Sequence, residues 1–305
     1  MTLLYTHPSG FSHLTPPGHP EQVARLDAVL DALAGLDLQC RAAPEARDAD
    51  LLRGHPPEYL AMLRAKLPAQ GWAMLDADTA LSPGSLLAAR HAVGGVCAAV
   101  DAVLAGEAPN AFVAMRPPGH HAERRKPMGF CIFSSVAIGA LRALQHHRLD
   151  RVAVLDFDVH HGNGTQDVLW EEGRAMFAST HQAPLYPGTG AASERGAHGQ
   201  ILNVPLAAGS DGGSARAAWR GICARVEAWH PQLVLVSAGF DAHAADPLAG
   251  LAWDEGDFTA ITRMICDAAA SCSAPVVSAL EGGYDLDALG RSARAHVEVL
   301  RETAA

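Results

Sequence analysis

The stretch VAVLDFDVHHGNGTQ, residues 152–166, sets Asp156, Asp158 and His160 at alternate positions directly after an apolar run. Such a run reads as a strand buried on both faces. Along an extended chain, side chains at i, i+2 and i+4 leave the same face, so the two carboxylates and the imidazole would converge beyond the strand's end. Convergent oxygen and nitrogen donors suit a divalent metal. A strand that simply ends in solvated polar residues is the plainer alternative, and partners elsewhere in the chain decide between the two.

Four further segments carry side chains of the same chemical kind. RPPGHHAERRKPMGF (116–130) sets His120 beside His121 after a rigid Pro-Pro-Gly turn, in a loop where both can line a pocket. SAGFDAHAADPLAG (237–250) brings Asp241 just beyond an apolar strand, and the small Ser237, Ala238 and Gly239 permit a close backbone approach. EGGYD (281–285) presents Tyr284 on a Gly-Gly turn, and THQAPLYPGTG (180–190) offers Tyr186 as a pocket wall or as part of a turn. Taken singly, each segment also has a plainer reading: solvated histidines on the surface, Asp241 as a helix cap and Tyr284 as a packing aromatic. Strand ends equipped together in this way fit catalysis better. A catalytic zinc takes three nitrogen or oxygen ligands and keeps one position for water, and Asp158, His160 and Asp241 would supply that set. His120, His121 and Tyr284 are then left to act on the water and on a carbonyl, with Asp156 fixing a histidine's tautomer.

These residues need a frame that gathers strand ends. Apolar β-type runs fall at 3–6, 111–115, 152–155, 175–179, 233–236 and 275–280, among helix-like stretches at 21–36, 57–67, 83–104, 132–147, 214–229, 255–270 and 286–300. The alternation predicts an α/β fold with a mostly parallel sheet covered by helices on both faces and functional loops at the carboxyl ends of its strands. No long linker, repeat or compositional break divides the chain, so a single domain over 1–305 is expected.

With 49% hydrophobic residues the chain can bury a full core, which excludes disordered and fibrous classes. A formal charge of −10 leaves no basic footprint for nucleic acid. Neither a long uncharged apolar stretch nor a signal-like N-terminus points to a membrane. Six scattered cysteines, never spaced C-x-x-C, read as reduced thiols, and a cytoplasmic protein is the expectation.

In this arrangement the chain resembles the histone deacetylase family of the arginase-deacetylase superfamily. The resemblance rests on RPPGHHA (116–122), GFC (129–131), DFDVHHGNGTQ (156–166), PGTG (187–190), SAGFD (237–241) and EGGY (281–284), in family order across about residues 19–290. The R-P-P-G-H-H form and Asn163 are similar to class II members and their bacterial relatives. The resemblance implies an arginase/deacetylase-like fold with an eight-stranded sheet. It also implies a zinc-dependent amidohydrolase that removes acetyl or other short acyl groups from acylated lysine side chains. On this basis Asp158, His160 and Asp241 would be the zinc ligands and His121 the general base, oriented by Asn163. His120, paired with Asp156, would act as an electrostatic partner. Tyr284 would donate a hydrogen bond to the carbonyl and then to the oxyanion. The resemblance further implies Gly129, Phe130, Tyr186, Leu248 and Gly282 around the acyl-lysine chain and Asp78 near the substrate backbone. It puts Arg25 in an internal acetate channel, and a structural K⁺ on Asp156 and Ser179.

Two departures narrow this reading. Gly162 and His243 stand where the arginase branch has metal-bridging carboxylates, which favours one zinc over two manganese ions. Leu248 follows Asp246-Pro247 where polyamine-selective relatives carry a glutamate, which argues against strong polyamine selectivity. Acetylpolyamine amidohydrolase is the nearest alternative activity. A non-catalytic acyl-binding protein is the alternative of a different class, and the joint presence of the three ligands, His121 and Tyr284 counts against it. The oligomeric state is not legible in the sequence.

Overall fold

Six strands with apolar residues on both faces and two half-exposed ones pair into one sheet. The computed structural model describes residues 1–304. The chain begins with β1 (Thr2–Thr6) and β2 (Leu38–Ala42), followed by a short antiparallel pair, β3 (Ala73–Met74) and β4 (Ala80–Leu81). It continues through β5 (Asn110–Val113), β6 (Val152–Asp156), β7 (Ala175–Gln182), β8 (Ile201–Leu206), β9 (Val234–Ala238) and β10 (Val276–Leu280). The eight-stranded sheet has the order β2-β1-β5-β10-β9-β6-β7-β8, and every neighbouring pair is parallel. The connections hold helices α1 (Ala24–Leu33), α2 (Asp48–Gly54), α3 (Pro57–Lys66), α4 (Ser85–Leu104) and α5 (Ser135–Gln145). They continue with α6 (Asn163–Leu169), α7 (Gly212–Trp229), α8 (Glu255–Ser271) and α9 (Leu286–Thr303).

Alternation along the strands divides the apolar interior in two, as a doubly covered sheet requires. Ala153 and Leu155 of β6 join Leu26 of α1, Trp219 of α7, Phe258 of α8 and Leu289 of α9 in one layer. Val152 and Val154 join Val96 and Val100 of α4 and Leu141 of α5 in the other. The expected α/β architecture is therefore the observed one. Helix α4 is long and apolar enough to match a membrane span by composition, and 72% of that window is buried in the protein. It is a core helix.

Six elements lie outside the sequence expectation, among them β3 and β4, whose two residues each are too few for a periodic signal. β2 and β8 are the two edge strands, and their burial is partial and broken. An edge strand needs no second apolar face and tolerates Pro205 within it, so neither produced an apolar run. α2 and α6 span seven residues each, too short for a periodic signal. The helix expected over 132–147 begins at Ser135, because Cys131 bonds back to Met128 and holds the preceding segment in a turn.

Candidate active site

β6 ends at Asp156, so the pleat does not continue to His160 as simple alternation assumed. Hydrogen bonds from backbone to side chain take over. Asp156 Oδ1 accepts the Asp158 N–H at 3.1 Å, and Asp158 Oδ1 accepts the His160 N–H at 2.9 Å. These two turns aim Asp158 and His160 at Asp241, delivered by the loop after β9. One donor atom from each of Asp158, His160 and Asp241 lies within 4.8 Å of the others, and all three residues are buried. His160 Nδ1 is 3.2 Å from Asp158 Oδ1 and 3.1 Å from Asp241 Oδ2.

The surroundings fit a metal ion. Glycine is required on two sides: a Cβ at Gly239 would stand 1.9 Å from Asp158 Oδ2, and one at Gly282 would stand 2.1 Å from Asp241 Oδ2. The Gly282 N–H instead donates to Asp158 Oδ2 at 2.9 Å, so that both oxygens of Asp158 are held by a backbone N–H, and the Val159 N–H donates to Asp241 Oδ1 at 2.9 Å, which leaves Asp241 Oδ2 without a backbone donor. Burial opposes charge on His160, but hydrogen bonds to Asp158 and Asp241 outweigh it and raise its pKa to about 10. Burial, then the charge of Asp158, raises the pKa of Asp241. Two buried carboxylates converging on one point call for a cation, and the oxygen and nitrogen donors match a catalytic zinc set.

The histidine pair sits beside this centre in two different environments. His120 Nδ1 lies 3.0 Å from Asp156 Oδ2, while His121 Nδ1 lies 2.7 Å from Asn163 Oδ1. Burial disfavours the cation on both. Around His120 the carboxylates of Asp158 and Asp156 overcome that cost and hold its pKa well above the usual histidine value. At His121 burial is reinforced by the charges of His120 and His160, so its pKa falls well below that value. Adjacent imidazoles, with ring centroids 4.0 Å apart, are thus pushed in opposite directions, His120 towards the cation and His121 towards the neutral form. Only the neutral one can accept a proton.

A cavity of about 190 Å³ leads to these groups. Asp78, His121, Gly129, Phe130, His160 and Tyr186 line it together with Leu185, Leu248 and Tyr284. Gly129 and Phe130 have φ of 56° and 68°, and a Cβ on Gly129 would meet the His121 ring at 2.4 Å. Asp78 Oδ1 accepts the Gly129 N–H at 3.2 Å, and Thr79 Oγ1 accepts the Phe130 N–H at 3.0 Å, tying this wall to the β3–β4 turn. The Tyr186 ring stands edge-on to His121 at 5.2 Å and the Tyr284 ring edge-on to Phe130 at 5.7 Å. Burial keeps the Tyr284 phenol protonated, with its pKa well above the usual value. A neutral acceptor, a phenolic donor and a cation site on one narrow cavity are the parts of a carbonyl hydrolase.

Three further sequence-selected residues, like the two aspartates of the donor cluster, lie outside the cavity lining. Gly282 backs the Asp158 and Asp241 carboxylates. Arg25 is fully buried beneath Tyr284, its guanidinium 4.9 Å from the ring centroid, and donates to Gly283 O at 2.6 Å and Glu21 Oε1 at 3.0 Å. Ser179 is the β7 register partner of Asp156, and its hydroxyl is 3.0 Å from His181 Nδ1.

Sequence reasoning missed two carboxylates that hold the loops together. Glu281 is buried, accepting the Gly119 and His120 N–H groups at 2.6 and 3.1 Å and the Ser237 hydroxyl at 3.2 Å. Asp246 accepts the Tyr284 N–H at 2.7 Å and the Leu248 N–H at 3.0 Å. For Glu281 a signal existed: an acid directly after a buried strand and before two glycines. Asp246 enters the sequence reading only as the residue before Pro247 and Leu248, and its place in an Ala-rich loop gives no sign of its backbone partners.

The histone deacetylase domain model matches residues 19–300. The chain is 43% identical over 273 residues to the histone deacetylase-like amidohydrolase of Pseudomonas aeruginosa, covering 87% of this chain and 71% of that protein. It is 36% identical over 298 residues to a probable deacetylase of Archaeoglobus fulgidus, covering 94% of this chain and 82% of the other. The crystal structure of the HDA15 HD domain superposes with a TM-score of 0.93 at 30% identity, over 99% of this chain and 92% of that one.

Proposed function

Since the chain belongs to the histone deacetylase family, we propose that it is a zinc-dependent amidohydrolase that removes acetyl or other short acyl groups from acylated lysine side chains. The carrying observation is the buried Asp158, His160 and Asp241 triangle at the foot of a narrow, largely apolar cavity that His121 and Tyr284 share. Those three residues would hold one zinc ion, which when bound would supply Lewis-acid polarisation of water and carbonyl.

The chain's own groups do the rest. His121 is neutral and engages Asn163 through Nδ1, so its Nε2 takes the proton of the attacking water and returns it to the leaving amine as the amide C–N bond breaks. His120, whose pKa the carboxylates of Asp158 and Asp156 raise, favours the cationic form beside them. The Tyr284 hydroxyl donates to the substrate carbonyl oxygen and more strongly to the oxyanion that follows. Phe130, Tyr186, Leu185 and Leu248 sheathe the methylene chain and exclude water. Arg25, beyond Tyr284, is the element of an acetate exit, and Asp78 at the rim meets the substrate backbone. A structural K⁺ at Asp156 and Ser179, and residence in the reducing cytoplasm with six free cysteines, complete the proposal.

Hydrolysis of an acetyl-lysine peptide against that of an N-acetylpolyamine tests the substrate class. The proposal expects the peptide to be turned over with the higher kcat/KM. A strong preference for the polyamine would make the protein an acetylpolyamine amidohydrolase. Binding of either compound without turnover would make it a non-catalytic acyl-binding protein.

A further inference from the structure

Glu123 follows the histidine pair by two residues and is only partly buried. Its Oε1 accepts the Asn163 Nδ2 hydrogen at 2.8 Å, while Asn163 Oδ1 faces His121 Nδ1 at 2.7 Å. Carboxylate, amide and imidazole form an unbroken line. The backbone is shaped to make it. A Cβ on Gly164 would stand 2.4 Å from Ala122 O and 2.5 Å from Ala122 N, so only glycine lets the first turn of α6 dock on the Ala122 peptide. The Thr165 N–H bonds to His120 O at 3.0 Å, and the Glu123 N–H closes a turn on Lys126 O at 3.0 Å. Asn163, at the start of α6, is thereby inserted between His121 and Glu123, the two neighbours of Ala122.

The amide of asparagine has ends of nearly equal shape and opposite hydrogen-bonding character. If its oxygen faces His121, Nδ1 must carry the proton and the Nε2 lone pair is free. With the NH₂ end there instead, the proton moves to Nε2 and His121 cannot accept another from the cavity. An ionised carboxylate only accepts hydrogen bonds, so Glu123 admits the NH₂ end alone. The second acceptor near that nitrogen, Met128 Sδ at 3.3 Å, is too weak to enforce the choice.

We propose that Glu123 is a positioning residue that fixes the orientation of Asn163 and through it the tautomer of His121. This rests on His121 serving as the proton acceptor of the proposed reaction. Because Glu123 supplies the charge one residue behind Asn163, the imidazole is oriented by a neutral neighbour while the carboxylate stays near the solvent.

The tautomer is read directly from long-range ¹H–¹⁵N spectra of ¹⁵N-histidine-labelled protein, with and without zinc, the His121 signals being assigned by their loss in His121→Ala. In the unaltered protein His121 carries its proton on Nδ1. Glu123→Ala brings up an Nε2–H form and lowers kcat at least about 10-fold, with KM changed less than about twofold. Glu123→Gln, whose Oε1 still accepts, retains the Nδ1–H form and recovers most of the activity. Asn163→Asp sets two carboxylates against each other and lowers turnover, and adding Glu123→Gln recovers part of it because the carboxamide donates to the new acid. Should Glu123→Ala fail to fold, this last comparison decides. An unchanged tautomer in Glu123→Ala, or a double variant no better than Asn163→Asp, overturns the proposal. A protein that hydrolyses no acylated amine, yet whose His121 tautomer follows Glu123, would refute the deacetylase reading and leave the relay standing.

Discussion

The two ends of the sheet hold cavities of opposite character. At the amino-terminal ends of β5 and β10 a concavity of about 790 Å³ is lined by Val103, Pro109, Asn110, Cys266, Ala270 and Val276 among others. At the carboxyl-terminal ends the cavity is only about 190 Å³, yet it is lined by His121, His160 and two tyrosines, and through His160 it reaches the cluster of three donors. The larger space contains one thiol that could act as a nucleophile, and burial raises the pKa of Cys266, which keeps it protonated and inert. The smaller one sets unlike protonation states side by side. Volume does not mark this site; buried charges that offset one another do.

The largest effect that would break the comparison is expected from Asp158→Ala, which leaves His160 and Asp241 as an incomplete donor pair. Deacetylation should fall to background and bound zinc, measured by atomic absorption, should be lost. Next come the acid–base and oxyanion groups. His121→Ala should lower kcat by about 10²–10⁴-fold and Tyr284→Phe by about 10²–10³-fold, each with zinc content kept near one per chain. Full activity in either would remove the proposed chemistry. Glu281→Gln, which disturbs the carboxylate bracing Gly119 and His120, should cost about 10–100-fold in activity. At the other end of the sheet, Cys266→Ser should change kcat/KM less than about twofold. A larger loss there would show that the two ends are coupled.

The smallest effect separates stability from catalysis. Burial lowers the pKa of His55 to about 4 and of His296 to about 3, below the ordinary value of 6.5. Between those values the unfolded chain binds the protons and the folded chain does not. Stability from these groups is therefore complete above pH 6.5 and is lost as the pH falls towards 4 and 3, at about 1.4 kcal/mol per proton per pH unit. His296 is held between the hydroxyls of Thr262 and Ser278, each at 2.8 Å, and does not line the cavity. Urea unfolding at pH 7 and pH 5 should show a shallower acid loss in His296→Gln, with kcat at pH 8 unchanged.

The same contrast of environments explains what the sequence made legible. Interior strands such as β6 and β9 are apolar on both faces because both faces are covered, so they stood out as continuous runs. β2 and β8 have one side without a neighbour and carry Arg41 and Pro205, so they were invisible to the same reading. At the site, Asp158, His160, Asp241, the histidine pair and Tyr284 were recognisable because each follows an interior strand. The alternation argument nevertheless misjudged how Asp156, Asp158 and His160 diverge, since side-chain to backbone turns after Asp156 replace the pleat. Glu281, Asp246 and Glu123 received no role because they act on backbone amides or on Asn163. Partners of that kind are set by tertiary approach, as when Gly164 docks on Ala122, and of the three only Glu281, directly after a buried strand, stands where spacing could have marked it.

The central claim is that Asp158, His160 and Asp241 form one metal centre on which acyl-amide hydrolysis depends. Protein stripped with a chelator and titrated with zinc, assayed on an acetyl-lysine peptide, tests it most directly. The stripped protein should show no hydrolysis, and recovery should saturate at one zinc per chain and be absent in Asp158→Ala. Hydrolysis that survives complete removal of metal, or recovery unaffected by Asp158→Ala, would contradict it.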